Sequence, residues 1–215
     1  AFAPVNQLLG LFKYGRGKIP PLKKKKKIKE QEEEIAGEKE ADIALLPGSF
    51  KPPHKGHLSL ASAYAKVANE VVILISDPQS EKSIRKLPVS GEIVIPEMAK
   101  DLWETYLSNA GIDNATVMIS PSPSPVGAVY DYLDNLATSP DGVEVKIILG
   151  TSTKGGDEER YTDLDRYQDT NVNVVSRPLE PLSVGGEDLH ASDMRAAIDN
   201  MDVDALETRF LPSGV

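Results

Sequence analysis

The chain has 215 residues, no cysteine, 40% hydrophobic residues and a formal net charge of −9. The length accommodates one α/β domain with a real core, and the hydrophobic share argues against wholesale disorder. Thiol nucleophiles, disulfides and thiolate zinc sites are excluded, and no apolar run approaches the ~18 residues of a membrane span.

The charge is unevenly placed. Residues 1–29 hold nine Lys/Arg and no acid, while the remaining 186 residues hold 15 basic and 33 acidic groups. A strongly acidic body is a poor sequence-independent DNA binder, since phosphate neutralisation supplies most of such binding. Residues 1–40 read as an N-terminal extension, in which the lysines Lys23 to Lys27 and Lys29 precede the acids Glu30, Glu32, Glu33 and Glu34. One account of this arm is a solvated tether, helical through KKKIKEQEEEIAGEKE with opposite charges as neighbours. The other is a contact with nucleic acid, an anionic membrane or an acidic protein partner. Leu8, Leu9, Leu11 and Phe12 add a short apolar segment able to dock. The leading AFAPVNQLLGLF makes a poor signal peptide, because its charges follow the apolar part.

Residues 41–215 form the expected domain. Ile43 to Leu46 is a short apolar run ending in Pro47-Gly48, a buried strand entering a turn. Leu58 to Asn69 has a helical apolar period, and Val71 to Ile75 is a strand of β-branched residues and Leu. A helix starts at Pro96 and runs through Trp103 and Leu107, followed by a strand over Ala115 to Ile119. Val126 to Leu136 is helical, Val143 to Leu149 a strand ending at Gly150, and Val172 to Val175 a last short strand. Ser192 is the expected cap of a helix through Asn200, and Val203 to Phe210 is expected to form one more. This alternation predicts a Rossmann-like, doubly wound parallel sheet, with the ligand beyond the carboxyl ends of the strands.

The segment after the first strand, GSFKPPHKGH, carries the chemistry. Gly48 permits an unusual turn, and Pro52-Pro53 stiffen the loop. His54 and His57 then arrive at a helix start, where free N–H groups and the helix dipole favour a phosphate. Gly56 is expected to let the backbone approach that phosphate closely. Two imidazoles beside a polyphosphate can donate hydrogen bonds and stabilise charge on a pentavalent phosphorus. Two of the chain's three histidines lie in this string. It resembles the HxGH signature of the nucleotidyltransferase superfamily, which includes nicotinamide mononucleotide and phosphopantetheine adenylyltransferases.

The resemblance runs from Ile43 to about Asn200 and extends to cytidylyltransferase-like and adenylyltransferase-like proteins, some encoded by tailed bacteriophages. Near the C-terminus, His190-Ala191-Ser192-Asp193-Met194-Arg195 is similar to the second signature, ISSTxxR. Ser192 takes the Thr position and Arg195 the Arg position, a site for the β- and γ-phosphates, while His190 stands where Ser is usual. In GTSTKGGD, Ser152 stands where an Asp often contacts the nucleotide, so that either Asp157 substitutes or base selection differs.

The resemblance implies in-line attack of an acceptor phosphate on the α-phosphorus of a nucleoside triphosphate, with pyrophosphate leaving. His54, His57, Lys51 and Arg195 are the expected catalytic residues. Gly48, Ser49, Phe50, Gly56, Gly150, Ser152 and Ser192 are the expected nucleotide contacts. Lys82, Arg85 and Lys86 are candidates for an acceptor clamp, although a solvated basic loop accounts for them nearly as well. Mg²⁺ is the expected cofactor, bridging triphosphate oxygens without protein ligands of its own. The partners are a nucleoside triphosphate, ATP preferred over CTP, and a phosphorylated small-molecule acceptor; the compartment is the cytoplasm, that of the host cell for a phage protein. The competing reading is an idle nucleotide fold serving a structural or interaction role through the basic arm.

Overall fold

The computed structural model describes residues 39–139, 142–153, 158–180 and 182–213. The expectations for residues 1–38 and for Asp157 therefore lie outside the described residues. Five strands, β1 (Ala41–Gly48), β2 (Ala68–Ser76), β3 (Ala115–Ser120), β4 (Val145–Ser152) and β5 (Val172–Leu179), form one sheet in the order β3-β2-β1-β4-β5. Every pairing in it is parallel. The helices are α1 (Lys55–Val67), α2 (Pro96–Ala110), α3 (Pro125–Ala137), α4 (Ala191–Asp199) and a short α5 (Val203–Ala205) that runs into a π-type turn over Leu206–Phe210. None of the described helices is long and apolar enough to cross a membrane.

Strands buried on both faces need apolar residues at successive positions, and β2 meets that demand. Its Val71, Ile73 and Ile75 join a core with Tyr64 of α1, Trp103 of α2 and Met194 of α4. Val72 and Leu74, one residue out of phase, join a second core with Val129 and Leu133 of α3 and with Tyr167. The sheet is doubly wound, as its residue pattern predicts. The strand order reverses between β1 and β4, and a ligand crevice is expected at their carboxyl ends.

Helix ends follow their local chemistry. Pro96 opens α2, and Gly111 closes it in the left-handed conformation at φ 68°. Ser124 caps α3, its Oγ accepting from the Gly127 N–H at 3.0 Å.

Several boundaries differ from the sequence expectation. Helix α1 starts at Lys55 and yields Ala68 and Asn69 to β2, because Ala68 pairs with Ala41 of β1. Strand β4 starts at Val145 and continues through Gly150 to Ser152, which pair with β5 from Arg177 to Leu179. The ladder overrides a composition that reads as loop. Strand β5 correspondingly runs on past Val175, and its Pro178 is tolerated because β5 is an edge strand. The expected cap at Ser192 is corrected: the first hydrogen bonds of α4 close on the His190 carbonyl, so His190 is the cap and Ser192 lies inside the first turn. The helix expected over Val203 to Phe210 is α-helical only to Ala205. The 3₁₀ turns Glu158–Arg160 and Leu164–Tyr167, and the small β6 (Ser183–Val184) and β7 (Glu187–Asp188) pair, are too short to leave a periodic signal.

Candidate active site

A cavity of about 590 Å³ opens over the carboxyl ends of β1 and β4. The chain after β1 forms its floor by a tight fold. Phe50 takes a left-handed φ of 46°, a conformation that costs an ordinary residue about 1–2 kcal/mol. Its ring turns back over Gly48, where a Cβ would lie 2.5 Å from a ring carbon. Gly48 is thus needed for the packing of Phe50. The ring then meets His57 edge-on at 4.9 Å and Trp103 at 5.2 Å, which offsets the backbone strain by burial.

His57 sits in the first turn of α1. The His54 N–H donates to its Nδ1 at 3.1 Å, and the two imidazoles stack at 3.7 Å between centroids. With Nδ1 accepting, the proton of a neutral His57 resides on Nε2. Burial, with the charge of His54 second, holds the His57 pKa well below the usual imidazole range. His57 lines the cavity, whereas His54 is buried and stacked behind it.

Lys51 lines the cavity although it is only 3% exposed. Burial pulls its amine down to about 8; Asp77 opposes this, Arg85 adds to it and Glu97 opposes it. Arg195 of α4 donates from Nη1 to the Lys51 carbonyl at 2.8 Å, joining two segments 144 residues apart. Burial lowers the Arg195 pKa too, with the charge of Arg85 next. Three cations from three elements therefore share one wall.

Ser49, Gly150, Ser152 and Ser192 also line the cavity. Ser49 Oγ lies 3.4 Å from Ser76 Oγ, and Ser192 Oγ is 3.2 Å from Asp193 Oδ1. At Gly150 a Cβ would come within 2.6 Å of the Tyr64 ring and 3.1 Å of the Leu45 carbonyl oxygen. The Tyr64 hydroxyl donates to the Arg177 carbonyl at 2.6 Å, which holds the ends of β4 and β5 together.

Besides His54, three expected positions lie away from the lining. A Cβ on Gly56 would meet the His54 ring at 3.1 Å and Leu189 at 3.3 Å, so this glycine makes room for the packing of the His54 ring, and it does not line the cavity. Of the basic loop, only Arg85 lines the cavity. Lys82 is exposed on a turn, and Lys86 pairs with Ile93 in an extended bridge, which directs it opposite to Arg85.

Ser124, Arg160, Tyr161 and His190 line the cavity without having been singled out as site residues. The Ser124-Pro125 start of α3 was legible as a helix start, but Arg160 and Tyr161 arrive through 3₁₀ turns that carry no sequence signal. The amino ends of α1, α3 and α4 converge on the cavity, and its described lining contains cations and no carboxylate. Helix dipoles, exposed N–H groups and cations in one crevice constitute an anion site. Among the described residues no group of three His, Asp or Glu side chains could hold a metal ion.

Residues 45–93, the segment from β1 through the loop after β2, match the family model described as cytidylyltransferase-like. The match spans the strand-loop-helix that carries the paired histidines, and with it the resemblance to the nucleotidyltransferase superfamily. The chain is 32% identical over 80 residues to the nicotinamide-nucleotide adenylyltransferase of Ignicoccus hospitalis, covering 37% of this chain and 43% of that protein. It is 31% identical over 81 residues to the enzyme of the same name from Pyrobaculum aerophilum, covering 38% and 42%. The chain thus spans about two-fifths of the length of the curated relatives it matches. Among solved structures, a bifunctional NMN adenylyltransferase/ADP ribose pyrophosphatase from Francisella tularensis superposes with a TM-score of 0.51 at 16% identity, over 75% of this chain and 43% of that one. A candidate nicotinate-nucleotide adenylyltransferase from Vibrio parahaemolyticus gives 0.50 at 12% identity, over 80% and 95%. These two likenesses bear on the fold, which is the Rossmann-like one described above.

Proposed function

We propose that the domain transfers an adenylyl group from ATP to a phosphate oxygen of a phosphorylated small molecule and releases pyrophosphate. The observation that carries this reading is the convergence of His57, Lys51, Arg195 and three helix amino ends on one cavity whose described lining holds no carboxylate. The acceptor oxygen forms a bond to the α-phosphorus in line with the bond that breaks to the β-bridging oxygen. Pyrophosphate leaves with that electron pair, and no covalent enzyme intermediate is required. His57, neutral with Nε2 as donor, supports the oxygens of the transferring phosphate without a proton having to move. His54 acts by fixing the His57 ring and its tautomer. Arg195 and Ser192 receive the leaving pyrophosphate, Lys51 neutralises charge at the α-phosphate, and Arg85 faces the acceptor. When bound, Mg²⁺ supplies further neutralisation of the triphosphate.

ATP is preferred to CTP because both curated relatives are named adenylyltransferases. Their names also put nicotinamide mononucleotide first among acceptors to try. The reading takes the cytoplasm, where ATP and small phosphorylated acceptors meet, as the compartment, and residues 1–40 as an extension outside the chemistry.

The test is pyrophosphate release with Mg²⁺, offering ATP and CTP against a panel of phosphorylated acceptors. We expect release that depends on one acceptor and a kcat lowered about 100-fold or more in His57→Ala, as for loss of a transition-state donor. Near-normal turnover in His57→Ala would remove His57 from the mechanism. Silence across the panel with nucleotide binding intact would favour a structural role.

A further inference from the structure

The connection between β2 and α2 brings Arg85 to the cavity through a narrow hairpin. The Val94 N–H donates to the Arg85 carbonyl at 2.8 Å, the Leu87 N–H donates to the Glu92 carbonyl at 2.8 Å, and Gly91 turns the chain at φ 73°. Leu87 and Val94 anchor the hairpin in the core, but its tip is exposed, with Val89 at 79%. The carboxylate of Asp199, the last residue of α4, reaches this tip. It accepts from the Val89 N–H and from the Ser90 N–H, the latter at 3.0 Å. An acid at the carboxyl end of a helix faces the negative end of the helix dipole, an unfavourable place. Two converging amide N–H groups offset that cost, and they hold the Asp199 pKa down against its desolvation.

Asp199 lies four residues after Arg195, one turn on and on the same face of α4. The charge of Arg85 is felt at both Lys51 and Arg195. These cations repel one another, and the repulsion pulls Arg85 and its hairpin away from the cavity against the anchors Leu87 and Val94. We propose that Asp199 is a positioning residue that acts through Arg85. By fastening the hairpin tip to the far end of the helix that bears Arg195, it presets Arg85, Arg195 and Lys51 as one cradle for phosphate oxygens. This rests on the reading of the cavity as a phosphoanhydride site, and it adds a link between the second signature segment and the β2–α2 loop. Preorganisation of this kind removes the cost of assembling like charges when the ligand arrives.

The experiment is a double-mutant cycle on the full chain, read by calorimetric binding of inorganic pyrophosphate without acceptor. Arg85→Ala and Asp199→Ala should each weaken binding roughly tenfold. The double variant should be no weaker than Arg85→Ala alone, and Asp199→Asn, which keeps one acceptor oxygen, should fall between wild type and Asp199→Ala. Hydrogen exchange at the Ser90 amide should accelerate in Asp199→Ala. Unchanged pyrophosphate affinity in Asp199→Ala, or penalties that multiply in the double variant, would overturn the proposal. If Asp199→Ala does not fold, the cycle is run with Asp199→Asn and decides in the same way. A wild type that fails to bind pyrophosphate overturns both cradle and latch. Coupled binding without turnover on any acceptor supports the latch and defeats only the transferase reading.

Discussion

At the scale of single residues, the site depends on side chains held in uncommon protonation states by packing. Lys51 is the clearest case, with its amine at about 8 through burial. Near pH 8 the free protein holds about half of that proton, whereas an arriving polyphosphate favours the ammonium and raises the pKa. The Lys51 contribution to pyrophosphate binding at pH 8 should therefore be an uptake of up to about half a proton, superposed on the protons the ligand itself exchanges. At pH 6, where Lys51 is already charged, this contribution should vanish. Calorimetry in two buffers of different ionisation enthalpy measures the uptake, and Lys51→Met should abolish the Lys51 share. An uptake at pH 8 that is the same in the variant would remove Lys51 from the anion site. The histidines and Lys51 were picked out by their place after the first strand, and Arg195 by the resemblance of its segment to the second signature. Of these, His57, Lys51 and Arg195 line the cavity. The division of labour between His54 and His57 was not legible in the sequence, because it depends on Phe50 and Trp103, which hold His57 at the cavity wall with His54 behind it.

At the scale of elements, strand ends and helix starts deliver the site. Strand β4 was expected to end at Gly150, yet its ladder with β5 carries it to Ser152. The reason Gly150 is glycine lies in the neighbouring helix: the Tyr64 ring lies across it while its hydroxyl holds the Arg177 carbonyl. Gly150→Ala would push a Cβ against both that ring and the Leu45 carbonyl oxygen, and the two cannot yield together without opening the sheet. The variant should be less stable by about 1–3 kcal/mol, the usual cost of overpacking, measured by urea denaturation. Stability equal to wild type would mean that Tyr64 swings aside freely. Apolar runs and helical periods located each main strand and helix, because such burial patterns are local. Ladder partners are not, so the ends of β4 and β5 and the cap of α4 were misplaced by a few residues.

At the scale of the whole molecule, the net charge misdescribes the functional surface. The chain is acidic overall, yet the described lining of the cavity holds cations and no carboxylate. What decides anion binding is the local field of converging helix ends and cations, which the sheet topology assembles. The described body begins at Lys39, whose ammonium donates to the carbonyls of Ala65 and Lys66 at the end of α1. A chain starting at Lys39 should keep pyrophosphate release within about twofold of the full chain, since the described fold and cavity lining are built from residue 39 onward. A collapse of turnover would bring the arm into the chemistry; lost association with a partner at constant turnover would give the arm its own role.

By itself the sequence determined the α/β alternation, the strand-loop-helix that carries the paired histidines, and the Arg and Ser of the second segment. Those are short-range properties, set by burial period, turn residues and helix-end chemistry within about a dozen positions. Tertiary structure alone decided that His57 and not His54 meets the cavity, that Gly56 serves packing, and that Arg85 is taken while Lys82 and Lys86 are left out. It also decided that Asp199 reaches back to the Val89–Ser90 tip. Each of these depends on which element packs against which, and a parallel sheet brings together residues that the chain keeps more than a hundred positions apart.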